Sequence, residues 1–206
     1  MVRLVWNEPD DRVYEYGTDR GVFYPQRLSG VAWPGLIGVE ESYDGELTIG
    51  YLDGVAFGQF ETSSSFAATI RAVSRPSEFD RAEGVKRAAP FLVITQQPKA
   101  SFGMSYRTLV SDGLGTLHYK VHLLYNVTID PSSRTFTTQG ETDEITPLEL
   151  SVRCIPDPVP ERQAIAHLEI NSSEPNLSVL EAALYGTEST SPKLPSAAEV
   201  YQILGW

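Results

Sequence analysis

The side chains able to do chemistry are few and scattered. His118, His122 and His167 are the chain's three histidines. His118 and His122 share one face of an alternating run and His167 sits in another run, so the three could ligate a metal only if those runs are neighbouring strands. No carboxylate motif or ligand spacing accompanies them, and the expectation is that no metal is held. Ser105, in Phe102-Gly-Met-Ser-Tyr-Arg, offers a hydroxyl, but the Gly-x-Ser-x-Gly elbow of a nucleophile needs glycine where Arg107 stands. The acidic residues are spread over loops and strand edges, and no pair stands out as a general acid and base. Gly113-Leu-Gly115 lacks the Lys-Ser/Thr of a phosphate loop and reads as turn chemistry. Cys154 is the only cysteine, which excludes an intrachain disulfide and suits a small buried apolar side chain. An enzyme is therefore not expected, and no catalytic residue, cofactor or metal ligand is assigned.

The elements around these residues read as strands. In residues 118–125, His118, Lys120, His122 and Leu124 fall on one face and Tyr119, Val121, Leu123 and Tyr125 on the other, which predicts one packed and one wet face. Asp130-Pro131-Ser132-Ser133 supplies turn chemistry before an extended run over 134–138, giving a long hairpin across 118–142. Two extended runs flank Asp44-Gly45 in residues 39–52, VEESYDGELTIGYL, and predict a projecting hairpin with an acidic tip. Residues 57–73 alternate with Phe66, Ala68, Ile70 and Ala72 on one face. Phe102, Met104, Tyr106 and Thr108 share a face in 101–110, and 91–95, 145–154 and 165–171 read as further strands. Residues 77–83 read as a helical turn capped by Ser77.

The chain's two ends differ. The N-terminal arm, residues 1–38, opens on a short alternating run (Val2, Leu4, Trp6) and continues with aromatic residues broken by glycine and proline. Residues 176–206 carry two short helices. Ser178 and Glu181 have capping-box spacing with Gly186 at the far end, and Ser196 and Glu199 repeat that spacing after Pro195. Helices this short need something to lie on. The fold class is thus mainly β: a single domain built as an antiparallel β-sandwich or barrel over 57–171, with a projecting hairpin at 39–52 and short C-terminal helices.

A chain of 206 residues is long enough to bury a core. Its 16 Lys and Arg against 27 Asp and Glu give a formal charge of −11 with no basic cluster, which argues against sequence-specific nucleic-acid binding. No apolar run approaches the ~20 residues of a membrane span, and no h-region of ~7 to 15 residues opens the chain. A protein without a membrane anchor, made and used without Sec export, is expected.

Several stretches together carry a family likeness: SFGMSYRT from Ser101, YKVHLLYN from Tyr119, PSSRTFTT from Pro131, AHLEIN from Ala166, LEAALYGT from Leu180 and LPSAAEV from Leu194. The DRGVFY, GVAW, VEES and YLDG segments, from Asp19, Gly30, Val39 and Tyr51, fit the same pattern. In this order and spacing the chain resembles the major tail tube proteins of long-tailed bacteriophages that infect actinobacteria. The resemblance implies a β-sandwich-like subunit, made in the host cytoplasm, whose hexameric rings stack into the hollow tail of the virion. Its partners would be further copies of itself and the tape measure, terminator and distal tail proteins. Six copies at −11 each would carry a formal −66, so viral DNA would pass without specific binding. The hairpin tip Ser42, Tyr43, Asp44, Gly45, Glu46 and Leu47 is the candidate contact between rings. Two alternatives stand beside this: another hexameric tail ring, such as a distal tail or terminator protein, and a β-sandwich carbohydrate-binding module using the chain's ten Tyr, three Trp and eight Phe.

Overall fold

A computed structural model of the chain describes residues 13–45, 47–61, 65–112, 115–131 and 147–206. Period-two patterning builds its main sheet. Phe66, Ala68, Ile70 and Ala72 of β6 (Ser65–Ala72) are buried, as are Leu150, Val152 and Cys154 of β11 (Leu148–Cys154) and Phe102, Met104 and Tyr106 of β9 (Phe102–Ser111). These side chains meet in one cluster with Phe23, Trp33 and Phe79. With β1 (Tyr14–Pro25), β2 (Val31–Ala32), β3 (Leu36–Asp44) and β10 (Leu117–Ile129), the strands follow the order β2-β1-β9-β10-β11-β6-β3, every pair antiparallel.

The sheet's two ends approach each other. A Cβ on Gly21 of β1 would lie 2.8 Å from Leu36 Cδ2 of β3, and Trp33 N donates to Gly21 O at 2.7 Å. The sheet thus curls around the aromatic cluster as a sandwich closed on itself. Its outer face is covered by the C-terminal helices, α1 (Leu177–Tyr185) and α2 (Ala197–Leu204), whose Leu177, Leu180, Leu184, Ala197 and Val200 pack on Val22, Tyr24, Val121, Leu123 and Tyr125. The mainly β fold with short C-terminal helices is as the sequence predicts.

β10 is the strand shared by both cores. Its first half pairs with β12 (His167–Asn171) and its last residues pair with β11, along the same edge. The change of partner falls at Asn126, whose φ of 45° breaks the register with β9 between Leu124 and Val127. The expected wet face of this strand does not exist over 121–125. Leu124 joins the inner cluster, Val121, Leu123 and Tyr125 join the outer one, and His122 is buried. His122 looks solvent-facing by polarity, but the closed sheet brings it polar partners from other strands. The returning run expected at 134–138, like the N-terminal strand over 2–6, lies outside the described residues.

The hairpin expected about Asp44-Gly45 is replaced by a longer one. β3 runs straight on and pairs with β6, with Tyr43 opposite Phe66 and Asp44 opposite Ser65, while β4 (Leu47–Leu52) pairs with β5 (Val55–Glu61). The turn is Asp53-Gly54, with φ of 50° and 78°, the left-handed pair that a two-residue hairpin loop requires. Residues 39–61 offer two Asp-Gly pairs, and the second wins because β3 has a remote partner in β6.

Smaller departures have local causes. The turn at 77–83 is a 3-10 helix (Ser77–Arg81) that starts from Pro76, and Ser77 does not cap it. The Ser178–Glu181 capping box does not form, since α1 begins at Leu177, which is buried, and its N-cap is Asn176. The Ser196–Glu199 box does form, with Glu199 N donating to Ser196 Oγ at 3.2 Å and Ser196 N to Glu199 Oε2 at 2.8 Å. A second two-stranded hairpin joins β7 (Lys86–Ala89) to β8 (Leu92–Ile94).

Candidate functional site

Ser105 is buried, and its hydroxyl lies 3.0 Å from Tyr24 Oη. The Tyr24 hydroxyl donates to Leu184 O at 2.9 Å, so Ser105 spends its proton on Tyr24 and has the position of a core hydroxyl. Burial pushes the Cys154 thiol up to about 12, which keeps it protonated and inert at neutral pH. His118 is exposed and sits opposite Val110, apart from the other two histidines.

His122 and His167 do meet, because β12 pairs with the first half of β10. His122 Nδ1 lies 3.1 Å from His167 Nε2, with the ring planes 6° apart and their centroids 5.3 Å apart. The nitrogens span most of that separation, so the rings lie edge to edge and not face to face. The third member comes across the closed sheet. Glu41 shares a face of β3 with Val39, which packs against the inner core, and its Oε1 is 3.2 Å from His122 Nδ1. Tyr106 donates its hydroxyl to the same Glu41 oxygen, and its ring stacks on His122 at 4.7 Å.

An outer shell holds each group. His122 Nε2 is 2.9 Å from Thr108 Oγ1, and Thr108 donates its own proton to Glu15 Oε1 at 2.5 Å. The half-exposed side of the cluster is closed by Tyr43, whose Oη is 3.2 Å from His167 Nδ1. Burial works to raise Glu41, but hydrogen bonds from His122 and Tyr106 and the nearby His167 overcome it and bring the carboxyl to about 2. Burial also pushes His167 below its usual range, against the pull of Glu41. Lys120 lies 2.7 Å from Glu15 and 2.9 Å from Glu169 and so neutralises the acids on the far side of His122.

The second feature is the pair of free-standing hairpins. Along β4 and β5, Ile49, Tyr51, Leu52 and Val55 are exposed, and residues 49–57 show no buried position on either face. The β7–β8 hairpin likewise exposes Leu92, Val93 and Ile94, with Phe91 fully exposed at its tip. Of the expected contact residues, Ser42 and Tyr43 lie at the root of the first arm, where Ser42 Oγ donates to Ala67 O at 3.3 Å. Asp44 ends β3, Gly45 follows it, Leu47 begins β4, and Glu46 lies outside the described residues. The arm's tip is Asp53-Gly54, within the YLDG segment, and its two-residue turn between TIGYL and VAFGQ was the signal for it. Glu41 as a partner of the histidines had no local signal, since it reaches them across the sheet.

No protein-family model matches the chain, and no curated protein matches it. Among the described residues no helix is long and apolar enough to cross a membrane.

Proposed function

We propose that this protein is a structural subunit that associates with copies of itself, and specifically a major tail tube protein of a long-tailed phage. Its rings, hexameric by the resemblance, stack into the conduit for the genome, so it belongs to the virion and has no chemistry of its own. One observation carries the self-association: two arms, β4–β5 and β7–β8, hold apolar side chains in water on both faces. An isolated two-stranded hairpin is at best marginally stable in water, and a row of unpaired backbone groups with apolar neighbours is a ready template for another chain. Covering these arms with the next subunit removes both problems. The formal charge of −11 per chain then favours free passage of a polyanion. The sequence motifs carry the finer assignment to a tail tube.

Negative-stain electron microscopy over a concentration series, with light scattering for mass, tests this. Hollow tubes or sixfold rings are the expected result. A single ring that never stacks would move the reading to a distal tail or terminator protein. A persistent monomer that binds glycans in a screen would replace it with a carbohydrate-binding module.

A further inference from the structure

The geometry points to a divalent transition-metal site formed by Glu41 Oε1, His122 Nδ1 and His167 Nε2. It is independent of self-association, since its groups lie inside the closed sheet and not on the arms. His122 Nδ1 is 3.1 Å from His167 Nε2 and 3.2 Å from Glu41 Oε1, and one donor atom from each of the three residues lies within 4.8 Å of the others. Donor atoms on a tetrahedron with bonds of about 2.0 to 2.1 Å stand roughly 3.3 Å apart, close to these two separations, and a swing of the two rings out of their edge-to-edge line is what turns both lone pairs onto one ion. Two imidazoles and one carboxylate with a fourth position open suit Zn²⁺ or Co²⁺ better than Ca²⁺ or Mg²⁺, which favour all-oxygen sites.

The hydrogen bonds around His122 direct one of its nitrogens into the site. Thr108 gives its only proton to Glu15, so its oxygen accepts from His122 Nε2–H at 2.9 Å. In the neutral ring that leaves His122 Nδ1 as a bare lone pair facing a carboxylate oxygen. That lone pair also lies 3.1 Å from His167 Nε2, so it can accept from His167 Nε2–H in the metal-free cluster, and both nitrogens are freed for an ion when His167 carries its proton on Nδ1, beside Tyr43 Oη. The outer shell is the kind that orients metal ligands. Thr108 fixes the His122 tautomer, Tyr43 accepts from His167 Nδ1–H when Nε2 is a ligand, and Tyr106 steadies the carboxylate. The alternative set of Glu15, His122 and Glu169 is weaker, because Lys120 already neutralises both of its acids. A metal here would tie β3, at the root of the first arm, to β10 and β12.

The test uses the full chain, freed of metal by a chelator and titrated with Zn²⁺ by calorimetry and with Co²⁺ by visible spectroscopy. One equivalent of Zn²⁺ per chain and the intense visible bands of four-coordinate Co²⁺ are expected. His167→Ala and Glu41→Gln should abolish uptake, His118→Ala should leave it unchanged, and Thr108→Val, which keeps all three ligands, should weaken it about 10- to 100-fold. Because ligand variants alter buried positions, the Co²⁺ spectrum of the unaltered chain decides the coordination without them. No uptake, a six-coordinate Co²⁺ spectrum, or uptake that survives His167→Ala in a folded protein would overturn the proposal.

Discussion

β9 and β10 form one antiparallel hairpin of the protein and β4 and β5 another, yet the two live in opposite surroundings. β9–β10 has the aromatic cluster on one face and the C-terminal helices on the other. β4–β5 has neither, and Tyr51, Leu52 and Val55 remain exposed. Both are written with similar alternation and β-branched or aromatic residues, so local pattern does not separate them. What separates them is whether this chain supplies the cover. The barrel is covered within one chain, whereas the arms are left uncovered by it.

The comparison breaks most easily in the core. Trp33 is buried with its Nε1 donating to Ser74 O at 2.6 Å, and Trp33→Ala should cost about 3 to 5 kcal/mol in urea unfolding. Leu180→Ala, on the helix side, should cost about 2 to 5 kcal/mol in the same measurement. If either fell below about 1 kcal/mol, the core would not be the closed unit described. Ser196→Ala removes a formed capping box and should cost about 1 kcal/mol. Ser178→Ala, where no box forms, should cost less, since Ser178 makes no cap.

The arms should respond in the opposite way. Val55→Ser and Leu92→Ser should change monomer stability by no more than about 0.5 kcal/mol while reducing ring or tube formation seen by light scattering. Assembly that proceeds unaltered in both variants would remove the arms from the contact. A pH dependence sharpens the same contrast at the root of the second arm. Burial works to raise Asp80, but hydrogen bonds from Arg75 at 2.7 Å and from Arg87 of β7 at 2.9 Å hold it below its ordinary value. A depressed carboxyl stabilises the fold above the unfolded value and loses that contribution as pH falls through the folded one. Amide protection factors in β7–β8, corrected for the intrinsic pH dependence of exchange, should therefore be steady at neutral pH and fall below about pH 4, and Asp80→Asn should abolish that step.

Much of the barrel was legible in the sequence because its signals are local. The alternation of Phe66 to Ala72, the shared face of Phe102, Met104 and Tyr106, and the Ser196–Glu199 box each need only a few adjacent residues. The tip of the first arm was not legible at Asp44-Gly45, because pairing of β3 with β6 is decided by residues far along the chain. Ser178 was misread for a related reason: burial of Leu177 moved the helix start. The histidine cluster was half visible. His122 and His167 were candidates on strands of unknown adjacency, while Glu41 enters only when the sheet closes.

β10 also has a mechanical meaning. A strand whose early residues are held by β12 and whose late residues are held by β11 transmits tension from one to the other through Asn126. That residue is riveted sideways, its Oδ1 accepting from Arg27 at 2.9 Å and its Nδ2 donating to Ile155 O at 3.1 Å. Along the other edge β9 pairs with β10 on both sides of Asn126, so the break between the two ladders is splinted by a third strand.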